Sequence, residues 1–141
     1  MRARCFGVRD ASDPAATALI GKINGDARLA SVRDACKDAE VVVLATPYAA
    51  NAAAIASADD LAGKVPIDVT NPLTPDLTLA VGHTTSGAEE VARLAPRARV
   101  YKAMNQVGFE VMADPSALYR GGLWPPRSRL PSPSSAACLL A

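Results

Sequence analysis

The run EVVVLAT, residues 40–46, constrains the fold more than any other stretch of this 141-residue chain. Three consecutive valines and a leucine, with no polar residue between them, are typical of a strand that is buried on both faces of a parallel sheet. Pro47 follows at once, and proline favours the first position of a helix. We therefore predict a buried parallel strand that leads directly into a helix.

Strand-like and helix-like segments alternate along residues 4–115. The other predicted strands are 4–8, 27–30, 64–70 and 98–105, and helices are predicted to begin near residues 14, 31, 47, 86 and 106. Short links between alternating strands and helices require parallel strands that are joined by right-handed crossovers. The predicted fold class is α/β, a Rossmann-like, doubly wound and mostly parallel sheet.

Charge and composition divide the chain into two regions. Residues 1–115 contain 12 basic and 14 acidic residues, whereas residues 116–141 contain three arginines and no acidic residue, so the two regions carry −2 and +3. The second region is rich in Pro, Ser and Arg and lacks helical or strand periodicity. We expect either a disordered tail or a stretch where a shifted reading frame has replaced the natural sequence, and both interpretations remain open.

Composition also bears on several classes of function. The net charge of +1 gives no support for nucleic acid or an anionic membrane as a partner, and we see neither a signal peptide nor a membrane span. Cys5, Cys36 and Cys138 share no metal-binding or redox spacing, so we expect small buried side chains in a reducing, cytoplasmic setting. We expect no metal site, and no nucleophile with a neighbouring base supports hydrolysis.

Candidate ligand-binding residues follow the predicted strands, because ligands of open parallel sheets bind beyond the carboxyl ends of the strands. Arg9 follows the first predicted strand, and an arginine there accommodates the 2′-phosphate of NADP, but the adjacent Asp10 makes the signal mixed. Thr46 and Pro47 suit the start of a helix, with Thr46 as its cap, and the same turn could also line a cofactor groove. Asn71 and Pro72 are equally explained as a turn.

Five segments, taken in order, resemble a known family. They are CFGVRDASDP, DAEVVVLATPYAA, LAGKVPIDVTNPL, VGHTTSGAEEVARLAP and RVYKAMNQVGFEVMADP. Together, over about residues 4–115, they resemble the NADP-binding domain of the NADPH-dependent coenzyme F420 (deazaflavin) reductases. The resemblance implies that residues 1–115 are a partial NAD(P)-binding Rossmann domain and 116–141 a separate tail. It also implies hydride transfer between NADPH and a second, small-molecule redox substrate, with coenzyme F420 as that co-substrate.

The resemblance also implies roles for individual residues. The cofactor-binding residues would be Val8, Arg9, Thr46, Pro47, Tyr48, Asn71 and Pro72. Val8 and Arg9 would face the adenosine 2′-phosphate, although much of the family has Ser or Thr where this chain has Val8. His83 and Asn105 would approach the second substrate. We nominate no catalytic acid or base, because the two ring systems carry the hydride chemistry.

The strand that ends at Val8 corresponds to the second strand of that family's fold. A first strand and a GxGxxG-type turn, which binds the pyrophosphate, should precede it, and we do not find them in this sequence. We therefore expect weak or absent NADP binding, and a sheet divided where the first strand should lie. The two flanking strands would then pair directly or expose edges that favour aggregation.

The leading interpretation is a deazaflavin reductase, active or inactive without the first strand and its turn. Other functions remain open beside it. They are a non-catalytic dinucleotide-binding or interaction module, a relative of the pyrroline-carboxylate or β-hydroxyacid reductases, and an inactive gene remnant. A homodimer is also left open.

Overall fold

The computed structural model describes residues 4–23, 26–105 and 114, together with the backbone of residues 137–140. The strands are β1 (Arg4–Val8), β2 (Ala27–Ser31), β3 (Val41–Leu44), β4 (Val65–Asp68), β5 (Tyr101–Lys102) and β6 (Ala137–Leu140). The helices are α1 (Pro14–Ile20), α2 (Val32–Lys37), α3 (Asn51–Ser57) and α4 (Gly87–Leu94). All five predicted strands are present. The helix predicted from residue 106 lies outside the described residues, apart from Asp114.

The six strands form one sheet in the order β2-β1-β6-β3-β4-β5, and every neighbouring pair is parallel. The predicted Rossmann-like α/β class is confirmed. In the doubly wound order 3-2-1-4-5-6, the strands β2, β1, β3, β4 and β5 take positions 3, 2, 4, 5 and 6. The place of strand one belongs to β6.

The prediction of a divided sheet is wrong, because β6 lies between β1 and β3. Cys138 is in register with Cys5 on one side and with Val42 on the other. Without β6, the facing edges of β1 and β3 would leave backbone N–H and C=O groups unpaired in the middle of the sheet, at a large cost in free energy. A four-residue apolar segment, which the Pro- and Ser-rich composition around it concealed, removes that cost.

Side-chain caps explain where three of the helices begin. Asp13 accepts a hydrogen bond from the Ala15 backbone N–H at 2.8 Å and Pro14 occupies the first turn of α1. Ser31 accepts from the Asp34 N–H at 3.1 Å at the start of α2. The helix predicted from residue 86 begins with a capping box, since the Ser86 and Glu89 side chains each accept a hydrogen bond from the other residue's backbone N–H.

The start of the third helix differs from the prediction. Pro47 is not its first residue: a 3₁₀ turn, Tyr48–Ala50, follows Pro47, and α3 begins at Asn51. The Thr46 hydroxyl does not cap the backbone of a helix. It donates a hydrogen bond to the side-chain oxygen of Asn51 at 2.6 Å, so a contact between side chains replaced the expected cap.

The core lies between the sheet and helices α2, α3 and α4. Small side chains make up half of it, which lets the helices approach the sheet closely. Its buried apolar residues are Cys5, Val32, Ala35, Cys36, Ala39, Val42, Leu44, Ile55, Ala58, Leu61, Val91 and Ala95. The expected burial of Cys5 and Cys36 is confirmed. Across the described part of the chain, none of the helices has the length and apolar character needed to span a bilayer.

Candidate functional site

One row of register partners crosses the sheet near its carboxyl edge. Starting from β1, the row runs through Gly7, Leu140, Leu44, Asp68 and Lys102. The nominated residues Arg9, Thr46, Asn71 and Asn105 follow members of this row by two or three positions. Because all the strands are parallel, these four positions share one edge of the sheet, where ligands of such sheets bind.

Arg9 lies at one end of this edge, where its exposed side chain borders an open depression of about 350 Å³. The depression is also lined by Val8, Asp10, Asp13 and Ala16. No ion pair joins Arg9 to any residue that the structure describes. Its guanidinium is therefore available to an anion.

The two carboxylates in the depression are engaged by the chain around α1. Asp10 accepts hydrogen bonds from the Ser12 hydroxyl at 2.6 Å and the Ser12 backbone N–H at 2.8 Å. These bonds, the hydroxyl's first, hold the pKa of Asp10 below its usual value. Asp13 caps α1. Arg9 is therefore available to an anion, whereas the carboxylates of Asp10 and Asp13 are occupied by hydrogen bonds to nearby residues.

A chain of hydrogen bonds, partly buried at Thr46 and buried beyond it, joins the end of β3 to the end of β4. The Thr46 hydroxyl donates to Asn51 Oδ1, the Asn51 amide donates to Thr70 Oγ1 at 3.0 Å, and Thr70 Oγ1 donates to Asp68 Oδ1 at 2.7 Å. Asn51, Asp68 and Thr70 are buried. The position of Thr46 is therefore fixed from inside the protein.

An ion pair completes this network at β5. Lys102 Nζ lies 3.0 Å from Asp68 Oδ2 and also donates to the Thr70 carbonyl oxygen. The Asp68 side chain is fully buried, and the Lys102 side chain is 26% exposed. Burial of a carboxylate is costly unless it is paired and hydrogen-bonded. Asp68 has both kinds of partner, which ties the ends of β4 and β5 together.

Sequence reasoning missed the members of this network other than Thr46. Asn51 opens an alanine-rich helix, and Asp68 interrupts the apolar run of β4. A carboxylate inside a buried strand is a signal that a partner must exist. The identity of that partner, Lys102, depends on the pairing of β4 with β5, which local sequence patterns do not encode.

Tyr48 and Pro72 meet at the start of α4. A Cβ atom on Gly87 would lie 3.2 Å from Tyr48 Cε2 and 3.3 Å from Pro72 Cβ and Cγ. An alanine at this position would therefore require Tyr48 or Pro72 to shift by a few tenths of an ångström. Burial, followed by the nearby charges of Glu90 and Asp68, raises the pKa of Tyr48. The structure thus brings the nominated residues after β3 and β4 into one packed group.

The residues nominated for the second substrate differ in their surroundings. The Asn105 amide donates to Asn71 Oδ1 at 3.2 Å, and Asn105 Oδ1 is buried without a partner among the described residues. His83 is exposed in the segment before α4, and no described hydrogen bond joins it to Asn71 or Asn105. The structure therefore joins Asn105 to Asn71 by a hydrogen bond and shows no described bond from His83 to either residue.

A second depression, of about 250 Å³, lies between the C-terminal ends of α3 and α4. Its lining includes Ala56, Leu94 and the exposed ion pair between Arg97 and Asp60. None of the nominated residues lines it. Nor do the described residues include any group of three or more His, Cys, Asp or Glu side chains that could hold a metal ion.

Comparison with known families gives a match over residues 7–72, to the family described as "NADP oxidoreductase coenzyme F420-dependent". This range contains all seven residues nominated for cofactor binding. His83 and Asn105 lie beyond it. The family resemblance noted in the sequence is confirmed over these residues.

Solved structures support the same fold. A hypothetical protein, SMa0349, from Sinorhizobium meliloti is 22% identical with a TM-score of 0.65, and the match covers 80% of this chain and 66% of that one. A candidate F420-dependent NADP-reductase from Arthrobacter sp. FB24 is 27% identical with a TM-score of 0.64, covering 82% and 67%. This chain thus spans about two thirds of their length. A search of curated proteins found no match.

Proposed function

We propose, for a chain whose residues 7–72 belong to the coenzyme F420-dependent NADP oxidoreductase family, that the carboxyl edge of the sheet binds NADP(H) for hydride exchange with a deazaflavin. The observation that carries the proposal is the register row. It gives Arg9, Thr46, Asn71 and Asn105 a common edge, and an extended dinucleotide needs contacts along such an edge.

The Arg9 end of the edge suits the adenosine 2′-phosphate. A guanidinium pairs with phosphate oxygens through two parallel hydrogen bonds. Arg9 is exposed beside a depression, while Asp10 is held by Ser12. Val8, which lacks the hydroxyl common in the family, lines the same depression and would contribute contact with the adenosine rather than a hydrogen bond to phosphate.

Thr46 suits a different part of the ligand. Its hydroxyl proton is committed to Asn51 Oδ1, so its oxygen has only lone pairs left for a ligand. Thr46 would therefore accept a hydrogen bond from a donor such as a ribose hydroxyl, and it would not bind a phosphate oxygen. This assigns the turn after β3 to the middle of the dinucleotide, between the phosphate end and the nicotinamide end.

The nicotinamide end would lie at Asn71 and Pro72. The nicotinamide ring of bound NADPH supplies the hydride, and the residues of this chain supply orientation. Asn105 Oδ1, buried and without a described partner, is an acceptor that either substrate's amide or ring N–H could satisfy. His83, which is exposed in the segment before α4, would contact the second substrate from the solvent side.

The proposed site offers the fewest contacts to the diphosphate of the ligand. No GxGxxG turn follows a strand in the described residues, so the backbone N–H groups that such a turn supplies must be replaced by other contacts. We therefore expect NADPH to bind more weakly than micromolar, with the 2′-phosphate contact at Arg9 providing the preference over NADH.

Titration of the full chain with NADPH and NADH, followed by nicotinamide fluorescence, tests the proposal. The variant Arg9→Gln should lower NADPH affinity about 10- to 100-fold, the effect of losing one charge-assisted pair, and leave NADH affinity unchanged. Arg99→Gln is the matched control, because Arg99 is exposed and precedes β5, at the opposite edge of the sheet. Equal NADPH affinity in Arg9→Gln and the parent chain would refute the assignment.

A deazaflavin reduction assay separates catalysis from binding. NADPH binding with deazaflavin reduction supports the oxidoreductase function. Binding that depends on Arg9, without reduction of a deazaflavin, would instead identify a non-catalytic dinucleotide-binding module.

A further inference from the structure

The hydrogen bonds between Asp68 and Thr46 run in a single direction. Asp68 Oδ1 accepts from the Thr70 backbone N–H at 2.9 Å and from the Thr70 hydroxyl at 2.7 Å. The other oxygen of Asp68 is paired with Lys102 Nζ at 3.0 Å. Because a carboxylate can only accept hydrogen bonds, the hydroxyl proton of Thr70 must point towards Asp68. Thr70 Oγ1 can therefore only accept from its next partner.

That next partner is Asn51, and Thr70 decides which way its amide faces. The oxygen and nitrogen of an asparagine amide have nearly the same shape, so the hydrogen-bond partners set its orientation. Because Thr70 Oγ1 accepts, the Asn51 atom that lies 3.0 Å from it must be Nδ2. Oδ1 then faces Thr46 and accepts its hydroxyl proton at 2.6 Å. Asn51 and Thr70 are only 3% and 5% exposed, so water does not compete for the amide.

We propose that Asp68 is a positioning residue, whose charge makes Thr46 a hydrogen-bond acceptor towards the ligand. Thr70 and Asn51 transmit the effect, and like Asp68 they are buried. All three would act on a ligand only through Thr46, which is partly exposed at the carboxyl edge. The identity of the ligand rests on the proposed function, whereas the polarity of Thr46 is a property of the chain alone.

The polarity of Thr46 selects the chemical group that binds there. Its free lone pairs suit a hydroxyl or N–H donor, such as a ribose hydroxyl of NADPH, and disfavour an oxygen of a phosphate or carboxylate. A buried ion pair two strands away from Arg9 in the sheet order would thus help to set the register of the dinucleotide along the edge.

Thr70→Val breaks the relay with little change of shape. It leaves Asp68 bound to the backbone N–H of residue 70 and to Lys102, but it removes the acceptor of Asn51 Nδ2. A buried N–H group without a partner is costlier than a carbonyl oxygen without one. The Asn51 amide should therefore turn over and donate to Thr46 Oγ1, which frees the Thr46 hydroxyl proton to donate to a ligand.

NMR spectroscopy of the ligand-free, full chain tests the direction of the relay. In the parent chain, the Asn51 side-chain amide protons should give stronger NOEs to the side chain of Thr70 than to that of Thr46. Thr70→Val should reverse this preference, and Thr70→Ser, which keeps the hydroxyl, should restore it. Stronger NOEs to Thr46 in the parent chain, or an unchanged preference in Thr70→Val, would overturn the proposal. If Thr70→Val does not fold, the parent chain still decides.

Titration with NADPH tests the consequence for binding. Thr46→Val and Thr70→Val should each weaken NADPH binding about 3- to 10-fold, the effect of one neutral hydrogen bond. The double variant should bind within about 2-fold of either single variant, because Thr70 acts only through Thr46. Thr70→Ser should restore the affinity. Losses that multiply in the double variant would mean that Thr70 has a merely structural role, and would refute the proposal.

The two measurements also separate this proposal from the proposed function. A parent chain that does not bind NADPH would refute the proposed function, and the NOEs of Asn51 in the ligand-free chain would then decide the polarity of Thr46 by themselves.

Discussion

At the scale of single residues, Asp68 stands out because its carboxylate is fully buried and must therefore be paired and hydrogen-bonded. It accepts hydrogen bonds from the Thr70 N–H and hydroxyl at 2.9 and 2.7 Å and pairs with Lys102. We expect Asp68→Asn to lower the free energy of unfolding by about 2–4 kcal/mol, because Lys102 is left partly buried without its counter-charge. Urea denaturation measures the change.

Asp60→Asn is the control for that variant. Asp60 pairs with Arg97 at 3.1 Å, but both side chains are more than half exposed. An exposed pair contributes about 0–1 kcal/mol. A loss of similar size in the two variants would contradict the importance of burial at Asp68.

Glu89 provides a pH-dependent contribution at the start of α4. Hydrogen bonds from the Ser86 backbone N–H and side chain, and then from Thr85, lower the pKa of Glu89 below its usual value of 4.5. A lowered pKa means that this contribution to stability is complete above about pH 4.5 and disappears as the pH falls through the folded-state value. Glu89→Gln should therefore destabilise the protein at pH 7 and make no difference at pH 2, in thermal melts at both values. A destabilisation that persists unchanged at pH 2 would contradict the ionic origin.

At the scale of elements, the start of α4 is fixed by close packing rather than by its capping box alone. We expect Gly87→Ala to destabilise the protein by about 1–3 kcal/mol, because the new Cβ overlaps Tyr48 and Pro72 at 3.2–3.3 Å. It should also shift the ring signals of Tyr48 in NMR spectra. A stabilised variant with unchanged Tyr48 signals would show that the packing is looser than the structure indicates.

Gly21→Ala is the matched substitution. Gly21 ends α1 with helical dihedral angles, and an added Cβ meets only backbone oxygens at 3.7–3.8 Å. Alanine is compatible with that conformation and restricts the unfolded chain, so the variant should be neutral or more stable by up to about 1 kcal/mol.

Elements were predictable where their signals are local. The valines of β3 and the capping box formed by Ser86 and Glu89 indicate a buried strand and a helix start from neighbouring residues alone. The Thr46 cap was predicted wrongly because Asn51, five residues away, offers its hydroxyl a side-chain acceptor. Strand β6 was missed because four apolar residues in a Pro- and Ser-rich region carry little periodicity, and because the space it fills exists only in the assembled sheet. The shared edge of Arg9 and Thr46 followed from the fold class, because the carboxyl ends of parallel strands lie at one edge of the sheet. The Asp68–Lys102 pair did not, because it depends on the pairing of β4 with β5.

At the scale of the whole molecule, the sheet depends on β6 for its continuity. Leu139 is in register with Phe6 and Val43, and both ladders use the backbone of β6. We expect Leu139→Pro to remove a ladder hydrogen bond and destabilise the protein by about 3 kcal/mol or more. Hydrogen exchange at the amides of Phe6 and Val43 should accelerate, and the unfolding transition should broaden.

Leu139→Val separates the backbone effect from the change of side chain. Valine keeps the N–H group and suits a strand, so amide protection in β1 and β3 should stay close to that of the parent chain. Equal protection in the proline and valine variants would mean that β1 and β3 do not rely on β6.

The distance along the chain between β3 and β6 has a consequence for synthesis on the ribosome. Residues 41–44 emerge long before residues 137–140, and at about 5–20 residues per second the interval is roughly 5–20 s. Throughout that time β1 and β3 lack the strand that pairs with their facing edges. Exposed strand edges can pair with other chains, and the final folding step, closure over a separation of this length, belongs to the slow, high-contact-order class.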